Sequence, residues 1–154
     1  MWWDDRCSRL HSYSSKARIS PWAVIGCAAE YRGTNATFPA VIEDDATISE
    51  FARVQCGVDR ETVVMRNAFI MAGAHVGHDA IVGEGADVCP NAVVCGYAEV
   101  GDGAKIYSGA VISPRVKVGD GAIVAANSVV TRDVPAFEVW GGAPARFIRM
   151  REGH

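Results

Sequence analysis

Val64-Met65-Arg66-Asn67-Ala68-Phe69-Ile70-Met71-Ala72-Gly73-Ala74-His75-Val76-Gly77-His78-Asp79-Ala80-Ile81-Val82 is the stretch that decides the fold. An aliphatic residue returns at every sixth place: Val64, Ile70, Val76 and Val82. The beat continues without a slip through Val88, Val94, Val100, Ile106, Ile112, Val118, Val124 and Val130. Four residues after each comes a small or β-branched residue. It is Ala at 68, 74, 80, 86, 92, 98, 104, 110 and 122, and Val116, Ser128 and Val134 at the rest. A fixed period of six is the signature of a parallel β-helix.

Working outward, the same pattern starts at Ile19 and Ile25, breaks over 31–41, and resumes at Ile42, Ile48 and Val54. A shorter excursion covers 60–63. Within each hexad a short strand turns its aliphatic residue inward, and the small residue fits a tight corner. Gly83-Glu84-Gly85, Gly101-Asp102-Gly103 and Gly119-Asp120-Gly121 recur at eighteen-residue intervals. Three hexads therefore make one turn of a triangular prism, with coils stacked at the usual ~4.8 Å strand spacing. The expected fold is all-β, a parallel β-helix of about five to six coils with short terminal caps. Residues 1–18 are read as an N-terminal cap, helical or irregular, 19–135 as the prism, and 136–154 as a C-terminal cap. Pro135 and Pro144 should stop regular pairing, and Phe147-Ile148 should fold back as a cover.

Bulk properties narrow the function. At 154 residues the chain makes one domain. Leucine occurs once, at Leu10, while Val, Ile and Ala dominate, a bias toward stacked strands. A formal charge of −3 argues against nucleic acid or a membrane surface as partner. No stretch reads as a signal peptide or membrane span, and Cys7, Cys27, Cys56, Cys89 and Cys95 show no CxxC spacing. A reducing, cytoplasmic setting is the expectation. Cys89 and Cys95 read as small apolar fillers.

Two segments carry a family resemblance. Val130-Thr131-Arg132-Asp133-Val134-Pro135, followed by Trp140-Gly141-Gly142-Ala143-Pro144-Ala145-Arg146-Phe147-Ile148-Arg149, resembles the closing signature of left-handed β-helix (hexapeptide-repeat) acyltransferases, typical of acetyl-CoA-dependent members. Ile70 to Asp79 is similar to the His-Asp catalytic segment of the UDP-amino-sugar N-acetyltransferases and the UDP-N-acetylglucosamine O-acyltransferases. The resemblance implies a left-handed helix, a homotrimer with sites between adjacent prisms, acetyl-CoA as co-substrate and a sugar or nucleotide-sugar acceptor. Two departures bear on the acceptor. Residues 1–18 are too short for the amino-sugar enzymes' nucleotide-binding domain, and no C-terminal helical domain like that of the lipid A enzymes is visible. The lipid A enzymes also place a second His where this chain has Tyr97.

The resemblance assigns catalysis to His78, Asp79 and Gly96. His78 lies two residues beyond inward Val76, so it projects outward near a corner, where a neutral imidazole can accept a proton. Asp79 would hold its tautomer. Gly96 lies one coil above, where its N–H can meet a thioester oxyanion; a turn glycine needing positive φ is the other reading. His75, Arg60 and Tyr97 are candidate acceptor-side residues. On the donor side, Ser108, Ala126 and Asp87 match groove positions, and Arg146 can meet a CoA phosphate. Arg149 or Arg132 is expected to help Arg146 in that role. The polar loop Arg32-Gly33-Thr34-Asn35 is expected near the mouth of the site, and Trp2 and Trp3 in the cap. A zinc site, as in γ-class carbonic anhydrases of this fold, is expected to lack ligands, since His11 and His154 fall outside the prism. No metal is expected. The rival readings are an acyl-ACP-dependent sugar O-acyltransferase and a non-catalytic trimeric β-helix scaffold.

Overall fold

The computed structural model describes residues 11–27 and 36–152. Three parallel sheets form the faces of a prism, with strands numbered along the chain. Sheet A stacks β1 (His11–Tyr13), β4 (Ala40–Ile42), β7 (Thr62–Val64), β10 (Ile81–Val82), β13 (Glu99–Val100) and β16 (Lys117–Val118). Sheet B stacks β2 (Arg18–Ile19), β5 (Thr47–Ile48), β8 (Phe69–Ile70), β11 (Asp87–Val88), β14 (Lys105–Ile106) and β17 (Ile123–Val124). It is extended by β19 (Glu138–Gly142) and β20 (Ala145–Met150). Sheet C stacks β3 (Val24–Cys27), β6 (Arg53–Gln55), β9 (His75–Val76), β12 (Val93–Val94), β15 (Val111–Ile112) and β18 (Val129–Val130). The chain visits A, B and C in turn, so six coils are wound, and the architecture is a left-handed β-helix.

Register follows the eighteen-residue count. Val82 pairs with Val64 and Val100, Val88 with Ile70 and Ile106, and Val94 with Val76 and Ile112. Amides reach up one storey, as when Gly77 N–H donates to Val94 O at 2.8 Å. The inward residues Val64 to Val130 and the corner alanines between them are buried. Each inward Val or Ile contributes about 1.5–3 kcal/mol of transfer free energy. Alanine suits the corner because a larger side chain would overfill the narrow interior.

The corners have a second regularity. From Asn67 to Asn127 every sixth residue has positive φ. On the A–B and B–C corners these are Gly or Asn: Asn67, Gly73, Gly85, Asn91, Gly103, Gly109, Gly121 and Asn127. Such residues adopt the left-handed region cheaply. On the C–A corner they are Asp79, Tyr97 and Arg115, stacked one coil apart. Tyr and Arg are costly there, and backbone strain of this kind clusters at functional sites.

Several boundaries differ from those expected. Among the described residues the winding already includes His11, because β1 pairs with β4 over His11↔Ala40 to Tyr13↔Ile42. Residues 11–18 are therefore prism, which Tyr13 in an aliphatic slot conceals. Residues 1–10, with Trp2 and Trp3, lie outside the described residues, as do the Arg32-Gly33-Thr34-Asn35 segment, Cys7 and His154. Ala40 and Val41 are strand rather than loop, and Phe38 bridges Gly57. Thr62 and Val63 likewise belong to β7, so the second excursion spans 56–61 and not 60–63. At the other end the prolines do not end pairing. β19 joins β17 in parallel, and β20 returns antiparallel. Trp140, only 6% exposed, closes the core there, whereas Phe147 and Ile148 fold back with β20 but stay 51% and 57% exposed, Ile148 lying over Gly141.

Candidate active site

The C–A corner above β9 carries Gly77, His78 and Asp79, and the next corner up carries Cys95, Gly96 and Tyr97. Asp79 is fully buried and accepts four hydrogen bonds. Its Oδ1 accepts the N–H groups of Asp59 at 2.7 Å and Arg60 at 2.6 Å. Its Oδ2 accepts Val58 N–H at 3.0 Å and meets His78 Nδ1 at 2.7 Å. Burial pushes the Asp79 carboxyl upward. The N–H groups of Val58, Arg60 and Asp59 and the imidazole outweigh that, holding it below the ordinary carboxylate range. An ionised carboxylate only accepts, so Nδ1 must be the donor, and the neutral ring keeps its lone pair on Nε2.

Nε2 faces Gly96. A Cβ on Gly96 would lie 2.6 Å from Nε2 and 2.8 Å from Cε1. Gly96 is absent from the positive-φ positions, which fall at Tyr97 instead. The glycine is thus required for space beside the imidazole and not for its turn conformation, which removes the turn reading. Among the described residues its N–H donates to no protein group. The ring is set by three further contacts. His78 N–H donates to Gln55 Oε1 at 3.2 Å, Asp79 N–H to Thr62 Oγ1 at 2.8 Å, and Tyr97 packs edge-on with centroids 5.1 Å apart.

Around this centre the corner is heavily tied. Tyr97 O–H donates to Asp59, and Arg115 stacks over the Tyr97 ring at 4.1 Å. Arg60 donates from Nε to Asp79 O at 2.9 Å and shares Glu99 with Lys117. A cavity of about 350 Å³ lies beyond Tyr97, lined by Asp59, Arg60, Tyr97, Glu99, Arg115 and Lys117. His75 stands on sheet C, its pKa pushed below the usual imidazole range by burial and by Arg53 and His78.

Not all of the candidate residues come together. His78, Asp79, Gly96, Tyr97 and Arg60 converge on one corner, with His75 on the adjoining face. Ser108 and Ala126 are exposed on the B–C corner, the full width of sheet C away. Asp87 is on sheet B, ion-paired with Lys105. Arg146 is exposed in the terminal hairpin, its guanidinium donating to Ala145 O at 2.9 Å. His11 is in β1 and so inside the winding, correcting its placement outside. Among the described residues no three His, Cys, Asp or Glu side chains are grouped to hold a metal. Missed from sequence were Val58, Asp59 and Thr62, which hold Asp79, and Arg115. The readable signals were the long corner between Val54 and Val64, and Tyr97 and Arg115 in a slot that is mostly Gly, Asn or Asp.

The repeat places the chain in a class: residues 61–96 and 97–132 match the family described as bacterial transferase hexapeptide (six repeats). The fold is a left-handed β-helix, and its part from residue 61 to residue 132 carries that family's repeat. No curated protein matches the sequence. Among solved structures it is similar to UDP-N-acetylglucosamine acyltransferases from Campylobacter jejuni and Francisella novicida. The first is 27% identical with TM-score 0.75, over 92% of this chain and 66% of that one. The second is 25% identical with TM-score 0.81, over 88% and 51%. PerB from Caulobacter crescentus, solved with CoA and GDP-perosamine, shares the fold at 23% identity and TM-score 0.66, over 91% and 57%. The chain thus spans between about half and two thirds of each relative's length.

Proposed function

We propose that the protein is an acyltransferase that moves an acetyl group from acetyl-CoA to an amine or hydroxyl of a sugar or nucleotide-sugar. The carrying observation is the Nε2 side of the His78 ring, oriented by buried Asp79 and given room only because Gly96 has no side chain. In the reaction His78 Nε2 takes the acceptor's proton as its nitrogen or oxygen attacks the thioester carbon. The Gly96 N–H, otherwise unpaired among the described residues, steadies the tetrahedral oxyanion. The C–S bond then breaks, and the leaving thiolate recovers the proton from His78 as CoA–SH.

The separation of His78 from Ser108 and Ala126 supports a homotrimer. A donor groove on the B–C corner of one prism serves His78 only if it belongs to a neighbouring copy. In that assembly Arg146, Ser108 and Ala126 are donor-side residues. His75, Arg60 and Tyr97 flank the acceptor, with the cavity beyond Tyr97 as its recess. Asp87 is a weaker donor residue, being already paired with Lys105. A cytoplasmic location fits the CoA pool; among the described residues no helix is long and apolar enough to cross a membrane. The second reading is acyl transfer from an acyl carrier protein, favoured by the likeness to UDP-N-acetylglucosamine acyltransferases; the acetyltransferase-like ending from Val130 to Arg149 favours acetyl-CoA.

Acetyl-CoA at about a hundred times its Kd should stabilise the folded protein by about 2.7 kcal/mol by mass action. The expected readout is a melting temperature higher by several degrees, with free thiol released once an amino-sugar nucleotide is added. A melt unmoved by millimolar acetyl-CoA would leave a scaffold or a carrier-protein donor. Gly96→Ala provides a second check. The backbone accepts alanine, since φ is ordinary, but the methyl group must displace the imidazole. Turnover should fall about 10²-fold, the scale of a 1 Å misplacement, with little change in melting temperature. Full activity in Gly96→Ala would mean that Nε2 is not the reacting atom.

A further inference from the structure

We propose that the insertion at the corner beneath His78 is a clamp that decides which nitrogen of His78 carries the proton, with Gly57 as its positioning residue. The inference rests on His78 being the base of the proposed reaction. Within the regular run, inward aliphatic residues are six apart. From Val54 to Val64 the spacing is ten, so four residues are added at this one corner. Their backbone is spent on Asp79. Three consecutive amides, those of Val58, Asp59 and Arg60, donate to its carboxylate at 3.0, 2.7 and 2.6 Å.

Consecutive amides converge on one anion only where the chain turns back sharply, as in anion-holding nests. Gly57 makes that turn. A Cβ there would lie 1.6 Å from the Arg60 carbonyl oxygen, closer than any side chain tolerates. Gly57 is not among the positive-φ residues, so what it supplies is room. The loop is then fastened to the coils above. Arg60 donates to the Asp79 carbonyl and to Glu99, and Asp59 accepts from Tyr97. The groups facing Asp79 are thus three amide donors and His78, with Arg60, Asp59 and Glu99 in the surrounding charge network. With Oδ1 filled by two amides and Oδ2 by a third, the remaining place on Oδ2 takes the Nδ1 proton. Nε2 is left bare toward Gly96. Gly57 and the loop amides touch no reacting atom, so they act through Asp79.

The test is ¹⁵N NMR of His78 in the full chain at neutral pH, alongside steady-state kinetics, for wild type, Gly57→Ala and Arg60→Ala. Wild type should show the Nδ1–H tautomer. Gly57→Ala should lose that preference, with kcat lower by about 10²-fold, within the range of general base catalysis, and acceptor KM little changed. Arg60→Ala keeps every loop amide and cuts only the side-chain ties. It serves if Gly57→Ala does not fold: with the loop untied from the Asp79 carbonyl and Glu99, it should show a partial tautomer shift of the same sign and a smaller kcat loss than Gly57→Ala. A loop that merely fills a corner would move neither the tautomer nor the kcat-to-KM split. A wild-type Nε2–H tautomer, or folded variants that keep the wild-type tautomer, overturns the clamp. If the tautomer shifts as expected but wild type transfers no acyl group to any acceptor, the clamp stands and the acyltransferase reading fails.

Discussion

His78→Ala is expected to lower acetyl turnover by about 10²–10⁴-fold, the contribution of a positioned general base. The side chain is about a quarter exposed and projects from the prism, so no core contact is lost. The coils on either side are held by amide ladders that do not involve the imidazole, such as Gly77 N–H to Val94 O. The variant should therefore keep its circular dichroism spectrum and its oligomeric state. Its acetyl-CoA-induced rise in melting temperature should also persist, because the proposed donor residues Ser108 and Ala126 sit on another corner. Rapid thiol release by His78→Ala, at a rate within a few-fold of wild type, is incompatible with the mechanism. Loss of both activity and assembly would assign His78 to structure instead.

Asp79→Asn should be as damaging to turnover, with a stability penalty added. Both carboxylate oxygens are used only as acceptors. An amide nitrogen placed at Oδ2 faces Val58 N–H and donates to Nδ1, which moves the ring proton to Nε2 and abolishes the base. Placed at Oδ1, it opposes the N–H groups of Asp59 and Arg60. Either orientation leaves a donor against a donor. A wrong tautomer in a comparable triad costs about 10⁴-fold in turnover, and leaving a buried donor unsatisfied costs about 1–3 kcal/mol. The pH dependence has a definite sign. The folded-state pKa of Asp79 is depressed, so its stabilisation is complete above the ordinary carboxylate value near 4 and is lost as pH falls through the lower folded value. Wild type should thus lose its stability advantage over Asp79→Asn at acid pH, measured by denaturant melts at pH 7 and pH 3. Equal gaps at both would mean that Asp79 is not held ionised.

The winding was legible because its signal is a count. Twelve uninterrupted aliphatic positions fix the faces, the corners and the eighteen-residue offset that sets Gly96 over His78. The ends were less legible for the same reason. Tyr13 occupies an aliphatic slot yet continues the first coil, and β19 joins the stack sixteen residues after β17, with Val139 opposite Ile123. The support of the site was hidden for a different cause. Val58, Asp59 and Arg60 act through main-chain N–H groups, which every sequence possesses, so no residue type announces them. Only the extra length between Val54 and Val64 marked the place, and length does not say where amides point. Arg115 was overlooked because its significance lies in a φ value.

The regular storey height also governs how such a chain can change length. Adding or removing eighteen residues above Arg115 leaves the C–A edge aligned and alters only how tall the column stands. A change of six between Asp79 and Gly96 would rotate everything above by one third of a turn, carrying the bare glycine to another edge of the column. Growth in this architecture is therefore free in whole storeys and forbidden, near the imidazole, in thirds.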